Sequence, residues 1–477
     1  MPEARPAVCT AVALVVLLVL IIRYRVNAFV ALLVVSLGLG LAAGMPPTWV
    51  VASVGEGLGK ILAGVAILLA LGAMLGRMLD VSGAAEVITR TLVNAFGAAR
   101  ASLAVLAAAY LIGIPILFNV AFLLLIPIVW RLQRDTNQSL LYFGLPLAFS
   151  LGITHSLVPP HPGIVGAVGN MVPPERAGAV MAQTILFGSL MGVPLVLLGW
   201  LGPGRWWARR QFVTPPEHLA AREEPKTKES VPAAPPSFAV SVLIVTLPLA
   251  LSLVGFGADL LNRLGRLPPW VTQPLPARGA PPLDWLMLLG HPTMALLVPT
   301  LLAFGLLGLR RGLGLGRLSK LAGDSLQGVG AIAFLFGAAG GFAQVIQDSG
   351  AGKSIAEQAS RLPLSPVLVC FVVAMLMRIA LGSATASILI ASSLLQGFAR
   401  SQPGQEALLV LAVANGVTFM TPPADSGFWM VKEYFNLSVR DVMVRFNACR
   451  IAMSLAGLGL LLAYEQFGVH LVRRWFG

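Results

Sequence analysis

The sequence predicts an all-α polytopic membrane protein with about ten transmembrane helices and two re-entrant hairpins. We expect these elements to form two inverted-topology repeats that contain broken helices. Three observations predict this class. Only 11% of the residues are charged and 57% are hydrophobic, whereas soluble domains carry about 25% charged residues. Apolar stretches of about 20 residues recur along the chain. Interrupted apolar segments occupy corresponding places in its two halves.

The apolar stretches define the candidate spans, and each can cross a hydrocarbon core of about 30 Å. They cover residues 7–22, 26–44, 56–79, 139–170, 177–201, 238–262, 284–309, 322–347, 406–431 and 443–467. The first run lies between Arg5 and the pair Arg23 and Arg25, with no small-residue cleavage site. Residues 1–25 are therefore predicted to be a retained N-terminal helix rather than a signal peptide.

Two further apolar segments, 101–130 and 365–398, are interrupted near their centres by "GIPILFN" (Gly113–Asn119) and "RIALGSATAS" (Arg378–Ser387). Each has about thirty residues, too many for one untilted span, which suits a hairpin that enters and leaves on the same side of the membrane.

Two spans are broken by a proline pair, in "THSLVPPHPG" (Thr154–Gly163) and "FMTPPADSG" (Phe419–Gly427). Proline removes a backbone hydrogen bond, and the bilayer core has no water to replace it. We therefore expect each helix to unwind beside a polar cavity. A Ser-Gly-Ala turn precedes each break at a similar distance, at residues 82–84 and 349–351. Such a repeat, in opposite orientations, is typical of secondary transporters.

The repeat divides the chain into four parts. After the N-terminal helix, residues 26–202 are predicted to form the first inverted repeat and residues 238–477 the second. Residues 203–237 between them are rich in proline and charge, which favours a flexible cytoplasmic linker.

Charge and cysteine usage exclude several function classes. The net charge of +13 is concentrated at span ends, which indicates positive-inside topology rather than a nucleic-acid partner. Cys9, Cys370 and Cys449 are widely spaced in apolar runs and predict neither a disulfide framework nor a metal site. Phosphate-loop, zinc-protease and nucleophile-elbow motifs are missing. We expect a protein that is not an enzyme and has no cofactor.

The first break and the first hairpin supply four candidate substrate-binding residues. His155 and His161 can exchange a proton near neutral pH or bond a substrate; alternatively, one of them caps the broken helix. Ser156 lies beside them. Asn119, at the first hairpin tip, either donates to a substrate or ties the hairpin together.

The second half supplies the other candidates. Asp425 is the only carboxylate in its span and, with His155, is the proton-coupling candidate; alternatively, it pairs with Lys432 or with backbone amides. Arg378 could hold a carboxylate bidentately, or instead bond the hairpin carbonyls or reach the interface. Hydroxyl-bearing substrate-binding candidates are Ser383, Thr385 and Ser426.

Four ordered stretches, "HSLVPPHPG", "GAAGGFAQVIQDSGAGKSIA", "RIALGSATASILIAS" and "ADSGFWMVKEYFNLS", give the chain a resemblance to a known family. The chain resembles the gluconate:proton symporter (gluconate permease) family, which belongs to a superfamily of ion-coupled anion transporters. The resemblance implies proton-driven uptake of gluconate or another small hydroxylated carboxylate. It also implies a multi-pass protein in the bacterial inner (plasma) membrane, in contact with lipid. Homodimers are common in the superfamily, so a homodimer stays open here.

Alternatives remain. Residues 419–425 lack the His and Asn that the family usually carries before Asp-Ser-Gly, with Ala424 before Asp425. The substrate is therefore open between gluconate, related sugar acids, and D-serine or another hydroxy acid. A sodium/proton antiporter of the same superfamily needs acids near both breaks, and only Asp425 qualifies. An intramembrane hydrolase using Ser383 or Ser156 with a histidine lacks a specified acid–base geometry.

Overall fold

The structure, a computed structural model, describes residues 5–97, 100–217, 235–263, 265–273, 280–351, 364–423 and 425–468. Throughout these ranges the regular structure is helical. This confirms the predicted all-α class, because the helices are mostly apolar and several are long enough to cross a bilayer.

The described residues from Arg5 to Arg210 form ten α-helices. They are α1 (Arg5–Ile22), α2 (Ala28–Ala42), α3 (Pro47–Val81), α4 (Ala84–Phe96), α5 (Ala101–Gly113), α6 (Phe118–Thr136), α7 (Leu141–Leu157), α8 (Pro162–Met171), α9 (Pro174–Gly199) and α10 (Arg205–Arg210). A π-helical turn, Trp200–Gly204, joins α9 to α10. The helical residues Arg205–Arg210 belong to the range predicted as a linker, and residues 218–234 of that range lie outside the described residues.

The second half contains the remaining elements. Its α-helices are α11 (Phe238–Arg263), α12 (Pro269–Thr272), α13 (Pro282–Gly290), α14 (Pro292–Leu302), α15 (Leu315–Asp348), α16 (Pro366–Leu381), α17 (Ala384–Leu394), α18 (Gln396–Arg400), α19 (Glu406–Val417), α20 (Ser426–Tyr434) and α21 (Asn447–Ala463). Short π or 3₁₀ turns cover Ala303–Gly308, Leu309–Arg311, Asp441–Phe446 and Tyr464–Gly468.

Six segments of the described chain are individually long and apolar enough to span a membrane. A seventh is the pair Pro47–Ala63 and Ala66–Val81 within α3, bent by 43°. Shorter apolar helices, α2, α5, α16, α17 and α19 among them, account for much of the rest of the predicted membrane region. Among them, α5, α16, α17 and α19 are short because the hairpins and broken spans interrupt the helices, as predicted.

One of the predicted spans is not a continuous helix, so that prediction is wrong. Residues 284–309, expected as a single helix, are divided at His291 into α13 and α14. Pro292 cannot continue the hydrogen-bonding of the preceding helix, and His291 is extended, with φ −62° and ψ 134°. The His291 side chain accepts a hydrogen bond from the Thr293 amide and so caps the new helix.

Both predicted hairpins consist of two helices around a short break. Residues 114–117 separate α5 from α6, and Gly382 and Ser383 separate α16 from α17. Gly382 has a φ of +80°, which a residue with a side chain rarely adopts. Ser383 accepts a hydrogen bond from the Ala386 amide and caps α17. The "GS" of the tip therefore provides both the turn and the start of the next helix.

The first broken span lies at the centre of the molecule. Of its most apolar 18-residue window, 89% is buried, against 33% for Phe238–Asp259 in α11. Asn170 of α8 fixes this span to the second hairpin by donating to Ser392 and Ser393 of α17, at 2.9 and 3.1 Å. Elements from the two halves therefore interlock around the breaks.

The two halves run through the same order of elements: a long helix, a hairpin, a broken span and a further helix. The long helices α3 and α15 pack together, and Gly57 meets Gly340 at their contact. A Cβ atom on Gly340 would lie 2.5 Å from the Gly57 carbonyl oxygen, so only glycine permits this approach. The inverted orientation of the two halves remains a prediction.

Candidate functional site

A cavity of about 510 Å³ lies where the two hairpin breaks and the two broken spans meet. Eight of the nine predicted site residues line it: Asn119, His155, Ser156, Arg378, Ser383, Thr385, Asp425 and Ser426. The ninth, His161, lines a neighbouring cavity of about 410 Å³ and contacts His155. Ala424, which sequence comparison singled out, lies outside the described residues.

Four helices begin at the cavity wall. Its lining includes the first residues of α6, α8, α17 and α20, namely Phe118, Pro162, Ala384 and Ser426. Helix N-termini present unpaired amide hydrogens and carry a partial positive charge. The breaks thus direct four helix N-termini toward the same cavity, and their partial positive charges favour binding of an anion there.

Arg378 ties the second hairpin to the second break. It lies at the end of α16 and is 3% exposed. Its Nε donates to the Met420 carbonyl at 2.9 Å, and its Nη1 donates to the Gly382 carbonyl. Nη1 also pairs with Asp425 Oδ2 at 2.6 Å. These bonds satisfy carbonyls that the broken helices leave without partners.

Asp425 contacts the same junction between the second hairpin and the second broken span. Its second oxygen accepts a hydrogen bond from the Gly427 amide at 2.5 Å and caps α20. Lys432, which the sequence offered as an alternative partner, pairs instead with Glu433 at 2.7 Å. The carboxylate therefore joins Arg378 to a helix N-terminus.

The two histidines form a directional chain. His161 Nε2 lies 2.5 Å from the carbonyl oxygen of Gly113, at the end of α5. Because a carbonyl only accepts, Nε2 carries the hydrogen. In the neutral pair, His161 Nδ1 is then the acceptor for His155 Nδ1, 3.2 Å away. His155 is left with Nε2 as an acceptor, suited to a donor such as a hydroxyl group.

Asn119 links the first hairpin to the second broken span. Its Nδ2 donates to Ser426 Oγ at 3.4 Å. Nearby, Trp130 of α6 stacks on Tyr434 of α20 and donates to its carbonyl at 3.1 Å. The aromatic contact fixes the two helices so that Asn119 and Ser426 meet at the cavity.

Sequence reasoning missed three residues of this region. Arg450 of α21 lines the cavity and is 5% exposed. Gly152 of α7 also lines it, and a Cβ there would lie 2.6 Å from Arg450 Nη1. Asn447 binds both backbone groups of Thr421, at 2.8 and 3.2 Å. The available signal was an arginine within the apolar run 443–467, since charge inside a span is functional by default.

The charged lining of the cavity is asymmetric. Among the described residues that form its wall, the charged ones are Arg378, Arg450 and Asp425. Two guanidinium groups and one carboxylate leave one positive charge in excess. Together with the helix N-termini, this arrangement suits a small anion with hydroxyl groups.

The sequence model of the "GntP family permease" matches residues 5–466. The chain belongs to the GntP permease family. This confirms the resemblance drawn from the sequence stretches. The "Gluconate permease" of Pseudomonas aeruginosa is 36% identical over 456 residues, which cover 94% of this chain and 95% of that protein. The "High-affinity gluconate transporter" of Escherichia coli is 32% identical, with 95% and 98% covered. The E. coli "Gnt-II system L-idonate transporter" is also 32% identical, with 95% and 97% covered.

Among solved structures, the YdaH transporter of Alcanivorax borkumensis is similar in fold. The TM-score is 0.64 over 92% of this chain and 98% of that one, at 16% sequence identity. This GntP permease is therefore a multi-pass membrane transport protein and not an enzyme, as expected.

Proposed function

We propose that this GntP permease takes up gluconate, or a closely related sugar acid, together with a proton. The names of its relatives, two for gluconate and one for L-idonate, support this substrate class. An E. coli relative named "Inner membrane permease YgbN", 34% identical, supports a place in the bacterial inner membrane.

The observation that carries the proposal is the charge of the cavity at the four breaks. Its one excess positive charge complements a monocarboxylate. Hydroxyls of Ser156, Ser383 and Thr385 and the free nitrogen of His155 suit the hydroxyl groups of a sugar acid. A sodium/proton antiporter would need an excess of acids instead.

The pairing of Asp425 with Arg378 supports the proposed proton coupling. When Asp425 takes up a proton, Arg378 loses its neutralising partner and the cavity gains a second unbalanced positive charge. An anion then binds more tightly, because two positive charges attract it. By reciprocity, the bound anion favours protonation of Asp425. The proton and the substrate therefore enter the cavity cooperatively, with His155, Arg378 and Arg450 as the titratable and charged groups around them.

Uptake into proteoliposomes tests the proposal. The purified full chain is reconstituted, and uptake of labelled gluconate is measured with an acid-outside pH gradient, with a sodium gradient, and with neither. L-Idonate and D-serine serve as competitors. We expect accumulation only with the pH gradient and competition by L-idonate. Accumulation driven by the sodium gradient alone would show that sodium, and not a proton, is the coupling ion. If no sugar acid is taken up, the proposed substrate class is wrong.

A further inference from the structure

Arg450 is a buried cation that has no hydrogen-bonded or ion-paired partner within the described residues. It is the only charged residue of α21, and α21 otherwise carries apolar and small polar side chains. Its Nε is buried without a hydrogen-bond partner, and no ion pair or hydrogen bond to its guanidinium occurs within the described residues. A buried charge in this state is costly unless something else binds it.

Arg378 carries the other guanidinium group of the cavity, and its Nε and Nη1 already bind protein groups. Bidentate binding of a carboxylate uses two neighbouring nitrogens, either Nε with Nη2 or Nη1 with Nη2. In Arg378 both Nε and Nη1 already donate to backbone carbonyls, and Nη1 also pairs with Asp425. Neither pair of nitrogens is free, so Arg378 holds the breaks in place.

The backbone opposite Arg450 makes room for its head group. Nη1 would lie 2.6 Å from a Cβ atom at position 152, so glycine is what lets the guanidinium lie against α7. Gly152 and Arg450 both line the cavity, beside His155 and Ser156 of the same helix. A ligand anchored on Arg450 thus has hydroxyl partners within the same cavity.

We infer that Arg450 is the carboxylate receptor of this permease and that it selects acids over neutral polyols. The inference rests on the proposed function, because it names the group that recognises the proposed substrate class. The carboxylate binds the free nitrogens of Arg450, and the hydroxyl chain extends toward His155 and the second hairpin tip.

Binding of gluconate and of its neutral amide, gluconamide, to the purified full chain tests this. Wild-type protein is compared with Arg450→Gln, Arg450→Lys and Gly152→Ala. Arg445→Gln is the matched control, since Arg445 lies outside the cavity and pairs with Asp441. We expect Arg450→Gln to weaken gluconate binding about 10- to 100-fold and to leave gluconamide binding almost unchanged. Arg450→Lys and Gly152→Ala should lose part of the preference for gluconate over gluconamide, and Arg445→Gln should keep all of it.

The outcomes separate the two proposals. If wild-type protein binds neither ligand and no other sugar acid, the proposed function fails. If it binds gluconate and Arg450→Gln keeps the full preference for gluconate over gluconamide, the role of Arg450 is wrong. Should Arg450→Gln not fold, Arg450→Lys and Gly152→Ala decide: an undiminished preference in both overturns the inference.

Discussion

The first broken span opens over four residues, Val158–His161, whereas the second lacks helical structure over the described residues 418–423 and at Asp425. In the first, the backbone pairs mostly with itself: the Val158 amide binds Thr154 O at 3.0 Å. The second also has local bonds, such as Phe419 N to Gly416 O at 3.2 Å, but side chains from other helices bond its backbone as well, Arg378 at Met420 and Asn447 at Thr421.

The two breaks differ in which groups hydrogen-bond the backbone amides and carbonyls that an interrupted helix leaves without partners inside the membrane. The short break closes with local backbone bonds, and its His161 side chain bonds the Gly113 carbonyl of the first hairpin. A longer break needs donors and acceptors from elsewhere, since lipid supplies none. The second break thereby acquires the polar and charged side chains that make a binding site, and its stability depends on them.

Arg378→Gln should have the largest effect. It removes the donors for two carbonyls and leaves Asp425 without its charged partner. We expect a loss of about 3–5 kcal/mol in the free energy of unfolding, measured by SDS titration in mixed micelles. Arg445→Gln, on a half-exposed side chain, should cost less than about 1 kcal/mol. Equal effects would remove the special role of the second break.

Asp425→Asn should uncouple transport. The amide cannot be deprotonated, so gluconate affinity should stay high and lose its dependence on pH, whereas wild-type affinity rises as pH falls. Accumulation against a gradient should be lost while exchange of internal for external gluconate persists. The measurements are binding across the pH range and counterflow in proteoliposomes. Surviving pH-driven accumulation would assign coupling to another group.

Asn447→Ala should destabilise the second break alone. Both of its bonds go to the buried backbone of Thr421, and alanine leaves those groups without partners. We expect a loss of about 1–3 kcal/mol in the free energy of unfolding, in the same micelle assay. An unchanged free energy of unfolding would mean that water or another side chain hydrogen-bonds the Thr421 backbone in place of Asn447.

His161→Leu should have the smallest effect on stability. The first break keeps its local backbone bonds, and only the contacts to Gly113 and His155 are lost. We expect a loss of about 1 kcal/mol, below that of Asn447→Ala. A larger loss than for Asn447→Ala would reverse the comparison between the two breaks.

The sequence predicted the breaks well because their causes are local. Proline pairs at 159–160 and 422–423 and the glycine at 382 interrupt helices wherever they fold. Arg450, Asn447 and Gly152 could not be found this way, since they lie inside uninterrupted helices. Their importance comes from tertiary contacts: Gly152 contacts Arg450 of the other half of the chain, and Asn447 binds Thr421 across 26 positions. The same holds for the choice of Arg378, rather than Lys432, as the partner of Asp425.

The contact between Gly57 and Gly340 also restricts how this sequence can diverge. A methyl group at either position meets the main-chain oxygen of the other glycine, in addition to the side chain of Gln344 or Ile61. No second substitution can remove a carbonyl oxygen, so a larger residue at one position has no compensating change at the other. Each position is held to glycine independently, and a search for co-varying pairs among diverged relatives will not detect this contact between the halves.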